Sequence, residues 1–260
     1  MKSTDPCPWS LLETEFDAWL SEGQSASLWW RDDDAVAPGK KLDQLLDLSG
    51  NAGILLAVIP ARLEPALVAN LAGVSHAWVA QHGYAHINHA PRGLGLGAWE
   101  LGMHRGEAAV LADLDAGRER LQNSFESCFL PVVVPPWNKL APELLQPISL
   151  RGYAGVSAFG ARTLASPAPG LTIVNAHCDP IRWKSGAHFA GELKTIRQLV
   201  DHLQARRTGL ADATEPTGFL THHIDLDTEG WDFCQKLASR VEQHAGAHWV
   251  SPEVIFEKTS

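Results

Sequence analysis

Short apolar runs recur along the chain, separated by longer amphipathic stretches. This is the pattern of βα units wound around a parallel sheet. Eight runs read as strands: Leu28 to Asp33, Ile54 to Ile59, Ala77 to Ala80, Leu130 to Val134, Gly152 to Ala158, Leu171 to Ala176, Gly218 to His222 and Ala247 to Val250. Between them, Gly39 to Leu48, Pro65 to Leu71, Ala98 to Phe125, Pro142 to Ser149, Glu192 to Arg206 and Thr228 to Gln243 read as helices. In the longest, Val110, Leu114, Leu121 and Phe125 fall on one face, which should pack on the sheet. The pattern predicts an α/β fold, a distorted barrel of seven or eight mostly parallel strands with helices outside.

No repeat, low-complexity tract or linker divides the 260 residues, so a single domain spanning 1–260 is expected. The composition, 45% hydrophobic and 20% charged, is that of a globular protein. A formal charge of −9 with no run of Lys or Arg argues against nucleic acid as a partner. The first residues lack the apolar core of a secretory signal, and no apolar run reaches the length of a bilayer span. We therefore expect a cytoplasmic protein without a membrane partner. Cys7, Cys128, Cys178 and Cys234 are far apart and form no CxxC pair, which points to reduced thiols rather than a zinc knuckle.

Chemistry-bearing residues gather where the strands end, which is where parallel α/β folds assemble their sites. Arg31-Asp32-Asp33-Asp34 closes the first strand, and three consecutive carboxylates call for a cation nearby. His82-Gly83-Tyr84-Ala85-His86 follows the third strand. Two imidazoles four residues apart can converge on one cation if the segment between them makes a helical turn, and a carboxylate would complete the set. Taken singly, the acidic run equally describes a solvated turn or helix cap, and the histidines a surface loop.

In order, the acidic strand end, the HGxxH segment, Val134-Pro135-Pro136-Trp137-Asn138, Asp179-Pro180-Ile181-Arg182-Trp183 and Leu220-Thr221-His222 resemble the motifs of the polysaccharide deacetylase superfamily, whose best-known members form carbohydrate esterase family 4. The resemblance spans roughly Leu28 to Asp225. It implies metal-dependent removal of an acetyl group from an N-acetylated sugar or related amide. The implied catalytic base is Asp33, the metal ligands are Asp34, His82 and His86, and the general acid is His222. The extra acid Asp32 also allows a register one residue earlier. Trp137, Asn138, Arg182 and Trp183 fall in the motifs that wall the substrate cleft. His223 should face away from His222, because neighbours on a strand alternate.

Two positions depart from the family pattern. Val134 stands where the family has the arginine that orients the base, and Arg182 stands where it usually has an aspartate beside the histidine acid. Arg182 is one source of the missing cation, and Asp179 or Asp225 of the missing carboxylate; a surface position for Arg182 is the alternative. Zinc is the first choice for an Asp-His-His set, with Co, Ni, Fe or Mn compatible. Two other readings keep the fold: hydrolysis of a small non-sugar amide, and a catalytically silent carbohydrate-binding protein. The chain holds ten tryptophans, and Trp29, Trp30 and Trp78 are expected in the core.

Overall fold

The computed structural model describes residues 7–256. Ten strands and eight α-helices follow one another as α1 (Pro8–Ser21), β1 (Ala26–Ala35), α2 (Lys40–Leu48), β2 (Ile54–Val58), α3 (Pro65–Leu71), β3 (Ala77–His82), α4 (Glu107–Phe125), β4 (Phe129–Val134) and α5 (Leu145–Leu150). The second half comprises β5 (Gly155–Val156), β6 (Thr172–Ile173), β7 (Ile181–Arg182), β8 (His188–Phe189), α6 (Glu192–Arg207), β9 (Thr217–Thr221), α7 (Thr228–Gln243), β10 (Ala247–Trp249) and α8 (Pro252–Phe256).

Eight strands form one parallel sheet in the order β10-β1-β2-β3-β4-β5-β6, with β9 also paired to β1. The sheet curls back on itself, because the chain beyond β6 pairs with both neighbours. Ala176 N donates to Ala158 O, and Cys178 bridges in parallel to Phe219 of β9. The eight runs expected as strands are these eight. Gly152 to Ala158 and Leu171 to Ala176 are regular over only two residues each, their remainder continuing as isolated bridges.

Strands buried on both sides need apolar residues throughout, and β2 is buried at every position. The interior is filled by Trp29, Leu55, Ala57, Ala80, Val132, Val134 and Val174, and Phe256 of α8 packs against this cluster. A larger layer, including Trp30, Leu28, Leu56, Val58 and Phe219, joins the sheet to the helices. Val110, Leu114, Leu121 and Phe125 of α4 are all buried, as their spacing requires.

Three elements differ from the sequence pattern. The long helix begins at Glu107 and not Ala98, since Gly102 and Gly106 interrupt the segment and Gly106 sits at φ 82°. The helix α1, which packs on α6, and the β7–β8 hairpin were not anticipated. No helix of the described residues is long and apolar enough to cross a membrane.

Candidate active site

The acidic run sits on an irregularity in β1. Pairing with β2 shifts register between Asp32 and Ala35, and Asp34 adopts φ 71°. Strict alternation would send Asp33 and Asp34 to opposite faces. The bulge turns both toward one cavity, a common use of such defects beside active sites. Asp32 points the other way, into a buried network with Thr221 and His223.

Asp33 is buried and held by Arg31, two residues earlier on the same face of β1. Arg31 Nη2 donates to Asp33 Oδ2 at 3.1 Å, while Nε lies 2.9 Å from Oδ1 without hydrogen-bond alignment. The rest of the guanidinium is spent on Ser157 O, Ser157 Oγ and Ala158 O through Nη1, and on Asn138 Oδ1 at 2.7 Å through Nη2. The cation beside Asp33 is therefore Arg31. Of the two readings of Arg182, that cation or a surface residue, the structure gives the surface one: Arg182 is exposed on β7 and does not line the cavity. Alternation explains this, because its neighbour Trp183 turns inward.

His82 ends β3 and His86 follows on an irregular turn, not the helical turn that HxxxH suggested. Gly83 at φ 54° and His86 at φ 57° shape it. Fully buried Glu100 accepts from Tyr84 N at 3.3 Å and Ala85 N at 2.8 Å. A Cβ on residue 83 would overlap the Glu100 carboxylate and the Pro136 ring. Glu100 had no signal of its own in the sequence, being a lone glutamate beyond a glycine-rich loop.

Asp34 Oδ1 lies 3.3 Å from His82 Nε2 and 3.4 Å from His86 Nε2, and it is buried with no hydrogen-bond partner. His82 Nδ1 is 2.9 Å from Val134 O, which places the proton on Nδ1 and leaves the Nε2 lone pair facing the carboxylate. Two imidazole nitrogens and one unpartnered carboxylate oxygen converge as a divalent cation requires. Burial opposes ionisation of Asp34, but the hydrogen-bonding reach and charge of His82, then the charges of His86 and His222, hold its carboxyl well below the usual range. Burial also opposes the charged form of His82, and Asp34 and Asp33 outweigh it, raising that pKa.

His222 follows β9 and lines the same cavity of about 490 Å³, with Trp137, Asn138, Phe159, Asp179 and Trp183. Its Nδ1 is buried and unpartnered, and Trp183 meets its ring edge-on at 4.7 Å. Asp179 faces this space, its oxygens taken by Ile181 N at 2.8 Å and Trp183 Nε1 at 2.9 Å. Burial pushes the Asp179 carboxyl up, with Asp33 adding to the rise against the pull of His222. Asp225 is partly exposed and bonds His222 only through backbone, Asp225 N donating to His222 O. Trp137 stacks obliquely on His86 at 4.4 Å; it and Asn138 sit at φ 54° and 56°, a strained pair of the kind found where function demands it. Because Asn138 Oδ1 is engaged by Arg31, its amide nitrogen is the end left for the cavity.

A second cluster, His177, His202 and Glu215, lies at the opposite end of β9 and is fully buried. Its rings stack face to face, 3.3 Å apart and 13° from parallel, so their in-plane lone pairs do not converge. His177 Nδ1 also accepts from Gly218 N, which leaves the proton on Nε2, the atom nearest Glu215. This is a packed polar cluster, unsuited to a cation.

No family model and no curated protein matches the sequence. Solved structures do match the fold. One is a Mycobacterium smegmatis protein assigned as a polysaccharide deacetylase, with a TM-score of 0.64, 12% identity and 90% of each chain covered. The peptidoglycan N-acetylglucosamine deacetylase Bc1960 superposes with a TM-score of 0.59 at 14% identity, over 94% of this chain and 97% of its own. The peptidoglycan deacetylase PdaC from Bacillus subtilis gives 0.53 at 14% identity, covering 89% and 90%. The fold is that of the polysaccharide deacetylases.

Proposed function

We propose that this protein is a metal-dependent deacetylase acting on an N-acetylated sugar or related amide. The observation that carries the proposal is the convergence of Asp34, His82 and His86 beside an Asp33 held by Arg31. Asp34, His82 and His86 would hold the cation, zinc by preference for such a donor set, with Co, Ni, Fe or Mn also suited. When bound, a divalent cation supplies Lewis acidity toward the acyl carbonyl and lowers the pKa of water.

The remaining chemistry belongs to the chain. Asp33 takes the proton of the attacking water, and Arg31 fixes the carboxylate in place for it. The Asn138 amide offers a donor to a substrate oxygen. His222 delivers a proton to the leaving amine, and Asp179 lines the same cavity. Trp137, Phe159 and Trp183, each part-exposed, give walls for a sugar face or an acetyl methyl.

The deciding experiment is acetate release from N-acetylated sugars and from small linear or cyclic amides, with and without added zinc. Turnover that needs metal and disappears with a chelator is the expected result. The substrate panel separates sugar from non-sugar amides. Zinc binding without turnover on any amide would overturn the proposal in favour of a silent binding protein.

A further inference from the structure

One buried carboxylate that this chemistry leaves unused is Asp32. Its Oδ2 accepts from Thr221 Oγ1 at 2.7 Å and from the His223 backbone N–H at 2.9 Å. Its Oδ1 lies 2.5 Å from His223 Nδ1, and Trp30 Nε1 donates to Thr221 Oγ1 at 2.9 Å. Asp32 and Thr221 are wholly inaccessible, and His223 nearly so. Since Asp32 is the register partner of Thr221, the carboxylate lies beside the point where β9 ends and His222 begins.

One consequence follows from peptide planarity. The N–H of His223 and the carbonyl of His222 belong to a single rigid unit. Asp32 grips its nitrogen end, while Asp225 N at 2.9 Å and Leu226 N at 3.2 Å donate to its oxygen end. Lys41 Nζ secures the next residues by donating to Ile224 O at 2.6 Å and Leu226 O at 2.9 Å. The His222 ring has no comparable anchor, because its buried Nδ1 is without a partner. Its direction therefore depends on the backbone that carries it and on the Trp183 edge that it meets.

We propose that Asp32, with His223, is a positioning residue for His222, locking the end of β9 to the strand that carries Asp33. The inference rests on the proposed role of His222 as proton donor. It explains the extra acid of the run, Asp32, as a tie between the two strands whose side chains handle protons. A buried ion pair serving stability alone would not control how His222 points.

The test uses the zinc-loaded full chain and the variants Asp32→Asn, His223→Leu and His223→Asn, the last keeping a side-chain N–H where Nδ1 stood. Imidazole nitrogen NMR reports the His222 ring, assigned by its loss in His222→Gln. Kinetics compares an amide, whose amine needs protonation, with an activated ester, whose leaving group does not. We expect Asp32→Asn and His223→Leu to shift or broaden the His222 signals and to lower amide turnover about tenfold more than ester turnover. His223→Asn should stay within about threefold of the parent on both substrates. Unchanged His222 signals, equal losses on the two substrates, or a His223→Asn as impaired as His223→Leu would overturn the proposal. If Asp32→Asn does not fold, the two His223 variants carry the comparison. An inactive parent would refute the functional reading, while the NMR comparison still decides whether Asp32 positions His222.

Discussion

Replacing Arg31 by Met leaves the Asp33 carboxylate buried without the cation that faces it. Both side chains are almost wholly inaccessible, at 0% and 3%, so solvent cannot take over the pairing. Removing one partner of a buried ion pair costs about 3–5 kcal/mol, because the remaining charge stays desolvated. The loss of Nη1 also strips donors from Ser157 O and Ala158 O. For a chain of this size a loss of that order lowers the melting temperature by roughly 10 °C. Urea and thermal unfolding at pH 7 would measure it across a cycle of Arg31→Met, Asp33→Asn and the double variant. The double variant should be less damaged than the sum of the singles, with a coupling of about 2 kcal/mol, since it removes the stranded charge. Arg31→Lys should fall between, one nitrogen being unable to reach all of the acceptors. Additivity within about 0.5 kcal/mol, or an Arg31→Met cost below about 1 kcal/mol, would refute the claim that Arg31 compensates the Asp33 carboxylate.

Two further outcomes are expected. Glu100→Ala should weaken zinc binding about 10- to 100-fold, measured by competition with a chromophoric chelator, because the carboxylate shapes the turn that presents His86. The buried His202 has its pKa pushed down to about 2, chiefly by burial and then by His177 and Arg206. The unfolded chain therefore takes up the proton first as pH falls below about 6.5, and stability drops with it. At pH 4.5 this amounts to about 3 kcal/mol for His202 alone. Urea unfolding should show a flatter profile between pH 7 and 4.5 for His202→Asn, and parallel profiles would contradict the linkage.

Much of the strand framework was legible because hydrophobic period and burial are linked residue by residue. Each of the eight apolar runs became a strand of the curled sheet. What the pattern missed depends on irregular backbone. The bulge at Asp32 to Ala35 and the positive φ of Asp34 have no periodic signature, yet they set which acids share the cavity. The same holds for the turn from His82 to His86, which Glu100 builds from a distance. By contrast, the Arg31–Asp33 pair was readable in principle, since residues i and i+2 of a strand share a face. The order of the motifs points instead to Arg182.

The difference between the two positions has a physical basis. A buried carboxylate requires compensating charge within a few ångströms, and the requirement belongs to a volume of the fold, not to a position in a motif. Val134 is fully buried in the barrel interior, and its carbonyl is occupied by His82. An arginine there would have to share that interior with Trp29 and Val132. Arg31 reaches the same carboxylate from within β1 and closes its remaining valences on Ser157, Ala158 and Asn138, thereby joining three strand ends around Asp33. Asp179, three residues before Arg182 in the chain, likewise brings a carboxylate into the cavity that His222 lines. The two departures thus alter which residues supply charge while the volume around Asp33 and His222 keeps both signs.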